Sequence, residues 1–190
     1  MAIEHHFYMD TTASRHELLD VLIQAGLGFE AEPDWKTPNG GSGSGAFNEA
    51  TSVSILDDRS TSTLRPDNGV IATQYISFRD RRAYLTRPEL EGKFGRDVTL
   101  GIVALLRAYP EADAYWEGWD ARIPMLLRRR GRLVLSEAKT KPHEFWDADG
   151  HPYRGLVNLP YRVEPLGPWE DVPNEAYVRY DPAAERPVET

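Results

Sequence analysis

The chain has no cysteine among its 190 residues. A disulfide framework and a thiolate metal site are therefore excluded. Long apolar runs are missing as well, since none approaches the roughly 20 residues that a membrane-spanning helix needs. The first residues lack the basic and apolar regions of a signal peptide. These absences predict a cytoplasmic protein that makes no use of a membrane.

The motifs of common enzymes are also missing. The five histidines are scattered, without HExxH or a comparable spacing, and no serine lies in a G-x-S-x-G elbow. Gly40 to Gly45 lacks the Gly-Lys-Ser/Thr of a phosphate loop, and Asp147-Ala-Asp149 lacks the later ligands of a calcium loop. We therefore expect no catalytic residue, no cofactor and no metal.

Charge is distributed unevenly along the chain, whose formal net charge is -8. Residues 1–80 carry 5 basic and 12 acidic side chains, whereas residues 81–140 carry 12 basic and 8 acidic ones. An acidic protein is a poor nonspecific binder of nucleic acid, and its charge suits a basic partner. The alternative is that the acidity serves solubility alone.

The N-terminal segment predicts a strand followed by a helix. Residues 3–9 alternate between apolar and polar, as in a half-buried strand, and His5 lies on the apolar side as a packed core residue. Ser14 and Glu17 have the spacing of a capping box, and an apolar stripe follows from Leu18 to Ile23.

The rest of the chain predicts more strands than helices. Strands are expected over 52–57, 69–80, 112–117, 122–129 and 132–137, with a tight turn at Arg130-Gly131 and one helix from about Asp97 to Tyr109. Prolines and a Gly/Ser run predict a flexible loop over 30–50. The expected fold is α+β: a two-layer, mostly antiparallel sheet with two helices packed on one face, in the order β-α-β-β-α-β-β-β. Residues 1–165 form this single domain, and residues 166–190 form an acidic, proline-rich tail.

Arginines and tryptophans of the second half suggest possible binding surfaces. Arg128, Arg129, Arg130 and Arg132 cluster at the tip of the predicted hairpin, where a solvated tip is the simplest interpretation and nucleic-acid binding is an alternative. Trp116, Trp119, Phe145 and Trp146 either fill the core or mark a protein interface, because tryptophan is frequent at binding hot spots.

The chain resembles the SitI3-type bacterial immunity proteins, which are partners of secreted swarming-inhibition toxins. The resemblance extends over most of residues 1–166. It rests on Ile3-Glu-His-His-Phe-Tyr, Ile76-Ser-Phe-Arg-Asp80, the helix end Val103-Ala-Leu-Leu-Arg107, the hairpin Leu126-Leu-Arg-Arg-Arg-Gly-Arg-Leu-Val-Leu135, Phe145-Trp146 and Leu159-Pro-Tyr161. It implies a cytoplasmic protein that neutralises a cognate toxin by stoichiometric binding, without any catalytic residue.

The expected partner is thus a toxin protein, bound by a monomer or weak homodimer. Exposed acidic and aromatic residues are the candidate contacts: Asp57, Asp58, Trp116, Glu117, Trp119, Phe145, Trp146 and Asp147. The alternative is a small-molecule-binding module, or an enzyme of unknown reaction, with a pocket lined by Tyr8, Tyr75 or Trp116.

Overall fold

The computed structural model describes residues 3–36, 41–57, 72–118, 124–136 and 162–164. These ranges contain two α-helices, α1 Arg15–Gln24 and α2 Lys93–Ala108, and two short 3₁₀ turns, Ala83–Leu85 and Pro88–Leu90. They also contain one sheet of nine strands: β1 Glu4–Asp10, β2 Glu30–Lys36, β3 Ser42–Phe47, β4 Thr51–Asp57, β5 Gln74–Asp80, β6 Asp113–Glu117, β7 Pro124–Arg129, β8 Arg132–Ser136 and β9 Arg162–Glu164.

The first strand of the chain lies in the middle of the sheet. The strand order is β2-β3-β4-β5-β1-β6-β7-β8-β9, and neighbouring strands are antiparallel except for β8 and β9, which are parallel. Phe7 of β1 is opposite Ile76 of β5 on one side and Trp116 of β6 on the other. The predicted α+β class with a mostly antiparallel sheet and two helices is confirmed for the described residues, but the predicted order lacks β2, β3 and β9.

The capping box predicted at the start of α1 is present. The Ser14 hydroxyl accepts a hydrogen bond from the Glu17 backbone N–H at 3.3 Å, and the Ser14 N–H donates to Glu17 Oε2 at 2.8 Å. Both groups would otherwise lack a partner within the helix. Leu18 and Leu22 follow on the buried side of α1.

One sheet face, here called the helix face, packs against both helices. Phe7 and Phe78 are completely buried there, together with apolar residues of α1 and α2. A Cβ at Gly101 of α2 would lie 3.1 Å from Phe78 Cε1 and 3.2 Å from Leu22 Cδ2. The glycine therefore lets α2 approach β5 and α1 at the same time.

A buried carboxylate fixes the beginning of α2. Asp97 Oδ2 accepts hydrogen bonds from Asn48 Nδ2 at 2.7 Å and from Thr51 Oγ1 at 2.9 Å, and Lys93 Nζ lies 3.0 Å from Oδ1. Asn48 and Thr51 flank the turn between β3 and β4. The network compensates the desolvation of Asp97 and holds α2 against that turn.

A buried arginine fixes the end of α2. Arg128 of β7 donates three hydrogen bonds, to the carbonyl oxygens of Leu106 at 2.7 Å, Ala112 at 2.7 Å and Tyr109 at 2.5 Å. The last carbonyls of a helix lack partners within it, and a cation is favourable at that end. Burial nevertheless lowers the pKa of Arg128 to about 10.

The predicted solvated arginine tip is therefore mostly wrong. Arg128, Arg129 and Arg132 are buried, whereas Arg130 is exposed. The turn itself is confirmed, because Arg130 and Gly131 have φ angles of 51° and 76°. Capping of α2 explains the burial of Arg128.

The predicted flexible loop over 30–50 is also wrong, because this segment contains β2 and β3. The Trp35 indole occupies the space above Gly43 and Gly45, where an added Cβ would lie 2.5 Å from Trp35 Cζ2 and 3.0 Å from Cη2, respectively. Glycine is needed here to seat the ring, which composition alone does not reveal. Residues 37–40 lie outside the described residues, as does the predicted tail 166–190.

The start of α2 differs from the prediction as well, since the helix begins at Lys93 rather than at Asp97. Gly92 precedes it with a φ of 75°. In the described part of the chain, no helix has the length and apolar character to cross a membrane.

Candidate functional site

The sheet face opposite the helices, here called the second face, carries a group of aromatic rings. Strand alternation points Tyr8 of β1 to this face, and pairing places Tyr75 of β5 and Tyr115 of β6 on either side of it. The Tyr8 ring centroid lies 5.3 Å from that of Tyr75 and 5.6 Å from that of Tyr115. Three neighbouring strands therefore bring three phenol rings into contact.

Polar groups accompany these rings. Tyr75 Oη lies 2.5 Å from His6 Nδ1, and their rings stack with centroids 5.6 Å apart. Tyr8 Oη donates a hydrogen bond to Glu117 Oε2 at 3.4 Å. An imidazole, two phenols and a carboxylate lie side by side, which provides hydrogen-bonding groups next to apolar ring surface.

An acidic edge lies at the β2 end of the sheet, where β2 lies beside the start of α1. Glu30, Glu32 and Asp34 are exposed on β2. The sheet ends at β2, which pairs only with β3. Carboxylates on an edge strand oppose pairing with another chain and attract basic surfaces.

One carboxylate joins the two elements of this edge. Asp34 of β2 accepts hydrogen bonds from Ser44 Oγ at 2.7 Å and Arg15 Nη2 at 3.1 Å, and His16 Nε2 lies 2.9 Å away. These contacts, with Ser44 contributing most, lower the pKa of Asp34 to about 2. The carboxylate is therefore ionised at neutral pH and holds β2 against α1.

The pocket predicted from Tyr8, Tyr75 and Trp116 is only partly assembled. Tyr8 and Tyr75 meet on the second face, but Trp116 lies on the helix face. Its Nε1 donates a hydrogen bond to His5 Nδ1 at 3.2 Å, which confirms His5 as a packed core residue. The three rings therefore do not line one cavity.

Two of the predicted partner contacts are inaccessible. Trp116 is 0% exposed and Glu117 is 2% exposed, so neither can form part of a contact surface in this structure. Asp57 ends β4 opposite Gln74. The other candidates stay predictions that lie outside the described residues: Asp58, Trp119, Phe145, Trp146 and Asp147.

Tyr115 was not identified from the sequence as a residue of the second face, and Trp35 was not identified as a residue of β2. Alternation placed Tyr8 and Tyr75 on the polar side of their strands, and Tyr115 has the same signal in β6. Trp35 has no comparable signal, because Pro33 and the glycines after it are typical of a loop and give no strand alternation. In the described ranges, no group of three or more histidine, aspartate or glutamate side chains is arranged to hold a metal ion.

Comparison with protein-family models finds no match for the chain, and comparison with curated proteins finds none either. The resemblance to SitI3-type immunity proteins stays a prediction, and so does the function that it implies.

Proposed function

We propose that this protein neutralises a cognate bacterial toxin in the cytoplasm by binding it stoichiometrically. The observation that carries the proposal is the acidity of the described residues up to the end of β4. Between positions 3 and 57, the described residues carry nine acidic side chains and two basic ones, Arg15 and Lys36. Seven of these nine carboxylates are exposed, so they present negative charge to a partner.

A negative surface suits a toxin with a basic surface. Complementary charge raises the association rate, and contacts made after the encounter determine how long the complex lasts. An inhibitor of this kind needs no catalytic group, since it acts by covering the toxin. A standard interface for this purpose would bury about 800 Å² on each partner.

The test is co-expression of the tagged protein with the product of the neighbouring toxin gene. We expect a complex of fixed stoichiometry on gel filtration, growth rescue of the producing cell, and weaker binding as salt increases. Toxin freed from the complex by unfolding and refolding should regain its activity, because binding leaves it chemically unchanged. Absence of both complex and rescue would contradict the proposal.

A second candidate function is the binding of a small polar-aromatic ligand on the second face. The contact between His6 and Tyr75 favours it, because these half-buried side chains combine ring surface with polar groups. A thermal-shift screen of small molecules would test it, with Tyr75→Phe as the matched variant. A ligand that stabilises the wild-type protein should stabilise this variant less, whereas no stabilising ligand would count against this function.

A further inference from the structure

A row of large side chains crosses the second face from β2 to β8. From Leu56 onward, each member is opposite the next one in the neighbouring strand. This aromatic row consists of Trp35, Leu56, Tyr75, Tyr8, Tyr115, Leu127 and Val134, with Gly43 beneath the indole between Trp35 and Leu56.

The two ends of the aromatic row differ in accessibility. Tyr115, Leu127 and Val134 are buried. Trp35, Leu56, Tyr75 and Tyr8 are half-buried, and they lie on the strands from β2 to β1. The half of the row nearest the acidic edge is therefore the half that another molecule can contact.

At the accessible end of the row, the Trp35 ring packs directly on the backbone of β3. Its ring lies over Gly43 and Gly45, where a Cβ would be 2.5 to 3.0 Å from ring atoms Cζ2, Nε1, Cη2 and Cζ3. An aromatic ring held in this way loses little conformational entropy when it binds a partner. Half-exposed tryptophan is also the best aromatic partner for a cationic side chain.

Carboxylates accompany Trp35 on the same face. Glu32 is opposite Gly45, which lies under the indole, and Glu30 is opposite Phe47. Basic residues of this face lie farther from the indole: Arg79 is opposite Ser52, and the Arg81 guanidinium stacks at 4.9 Å on Phe47 of β3, the residue opposite Glu30. Of the two glutamates, Glu32 therefore lies nearer the indole, whereas Glu30 lies nearer Arg81.

We propose that the basic partner docks on this half of the aromatic row. A lysine or arginine of the partner stacks on Trp35 beside Glu32, and apolar side chains of the same segment contact Leu56 and Tyr75. The inference rests on the proposed toxin-binding function, and it names the surface and the chemistry of its occupant. Charge complementarity selects a basic protein segment over other occupants.

The test measures the dissociation constant for the product of the neighbouring toxin gene by calorimetry. Glu32→Lys should raise the dissociation constant at least about tenfold, because it places like charge against the partner. Trp35→Ala should raise it about 30-fold, as for a hot-spot aromatic residue. Glu91→Lys is the matched control, since Glu91 is an exposed glutamate in the connection before α2. It carries the same charge change and should stay within about threefold of the wild-type value.

The variants distinguish this surface from the general function. Glu32 is exposed, so Glu32→Lys should keep the fold even if Trp35→Ala does not, and its melting temperature should match that of the wild type. Tight binding by the wild-type protein with equal losses for Glu32→Lys and Glu91→Lys would overturn the docking surface alone. No binding by the wild-type protein would overturn the proposed function together with this inference.

A third outcome concerns self-association. If the protein alone forms dimers that Glu32→Lys abolishes, while toxin affinity is unchanged, the surface joins two copies of this chain. That result would also overturn the proposed occupant.

Discussion

Replacing Gly43 by alanine probes whether the Trp35 ring lies on the sheet as the structure shows. The new methyl group would lie 2.5 Å from Trp35 Cζ2 and 2.7 Å from Nε1, which no pair of atoms tolerates. Gly43 is paired with β2 and β4 on its two sides, so its backbone has little room to move. The indole must therefore move away from its position over Gly43.

The expected cost follows from the area that the ring exposes. A tryptophan side chain buries about 200 Å² when it is fully enclosed, so displacing a half-buried ring exposes about 100 Å². At about 25 cal/mol per Å², this lowers the free energy of unfolding by about 2.5 kcal/mol. Alanine is less flexible than glycine in the unfolded chain, and this raises the free energy of unfolding by about 0.5–1 kcal/mol. The net loss should be about 1.5–2 kcal/mol.

A double-mutant cycle measured by urea unfolding isolates the contact. Gly43→Ala in the Trp35→Ala background should be neutral or stabilising by up to about 1 kcal/mol, because the ring is absent. The difference between the two backgrounds is then about 1.5–3 kcal/mol. If Gly43→Ala has the same effect in both backgrounds, the ring does not lie over Gly43 and the reasoning fails.

Three further predictions concern the groups that hold the helices and the acidic edge. Arg128→Met should lower the free energy of unfolding by about 3–5 kcal/mol, because three carbonyls lose their donor. Arg128→Lys should lower it less, and urea unfolding measures both variants. Asp97→Ala should cost about 3–5 kcal/mol by the same assay, since its buried donors lose their common acceptor, and a loss under 1 kcal/mol would contradict that role. The pKa of Asp34 is about 2 in the folded protein against an ordinary value of 3.8, so its contribution to stability is present above pH 3.8 and is lost as the pH falls toward 2. In acid unfolding, the free energy of unfolding of Asp34→Asn should therefore fall less over this pH range than that of the wild-type protein. Identical pH dependence in the two proteins would count against the contacts of Asp34 with Ser44, Arg15 and His16.

Local sequence signals predicted local structure well. The spacing of Ser14 and Glu17 gave the start of α1, because a capping box involves only residues of one turn. Strict alternation gave β1 and placed His5 on the buried side. Each of these features is determined within a few neighbouring residues, so the sequence alone is sufficient.

Features that depend on distant residues could not be predicted. The Gly/Ser run forms β3 because β2 and β4 pair with it and Trp35 covers it, although its composition is typical of a loop. Arg128 is buried because carbonyls from the end of α2 converge on it. Trp116 and Glu117 are among the predicted partner contacts, but both are buried: Trp116 packs in the core of the helix face, and Glu117 lies in β6 beside β1. These residues owe their burial or their strand conformation to neighbours that are distant in the sequence, and local periodicity does not predict such neighbours.

The central position of β1 has a consequence for how the chain folds. Tyr8 and Glu117, which meet across β1 and β6, are 109 positions apart in the sequence. During synthesis, β1 therefore emerges before β5 and β6 and must wait for both before its two edges are paired. Such distant pairings slow folding, typically to milliseconds or longer. A nascent chain that stalls before β6 leaves one edge of β1 unpaired, and an unpaired strand edge favours aggregation.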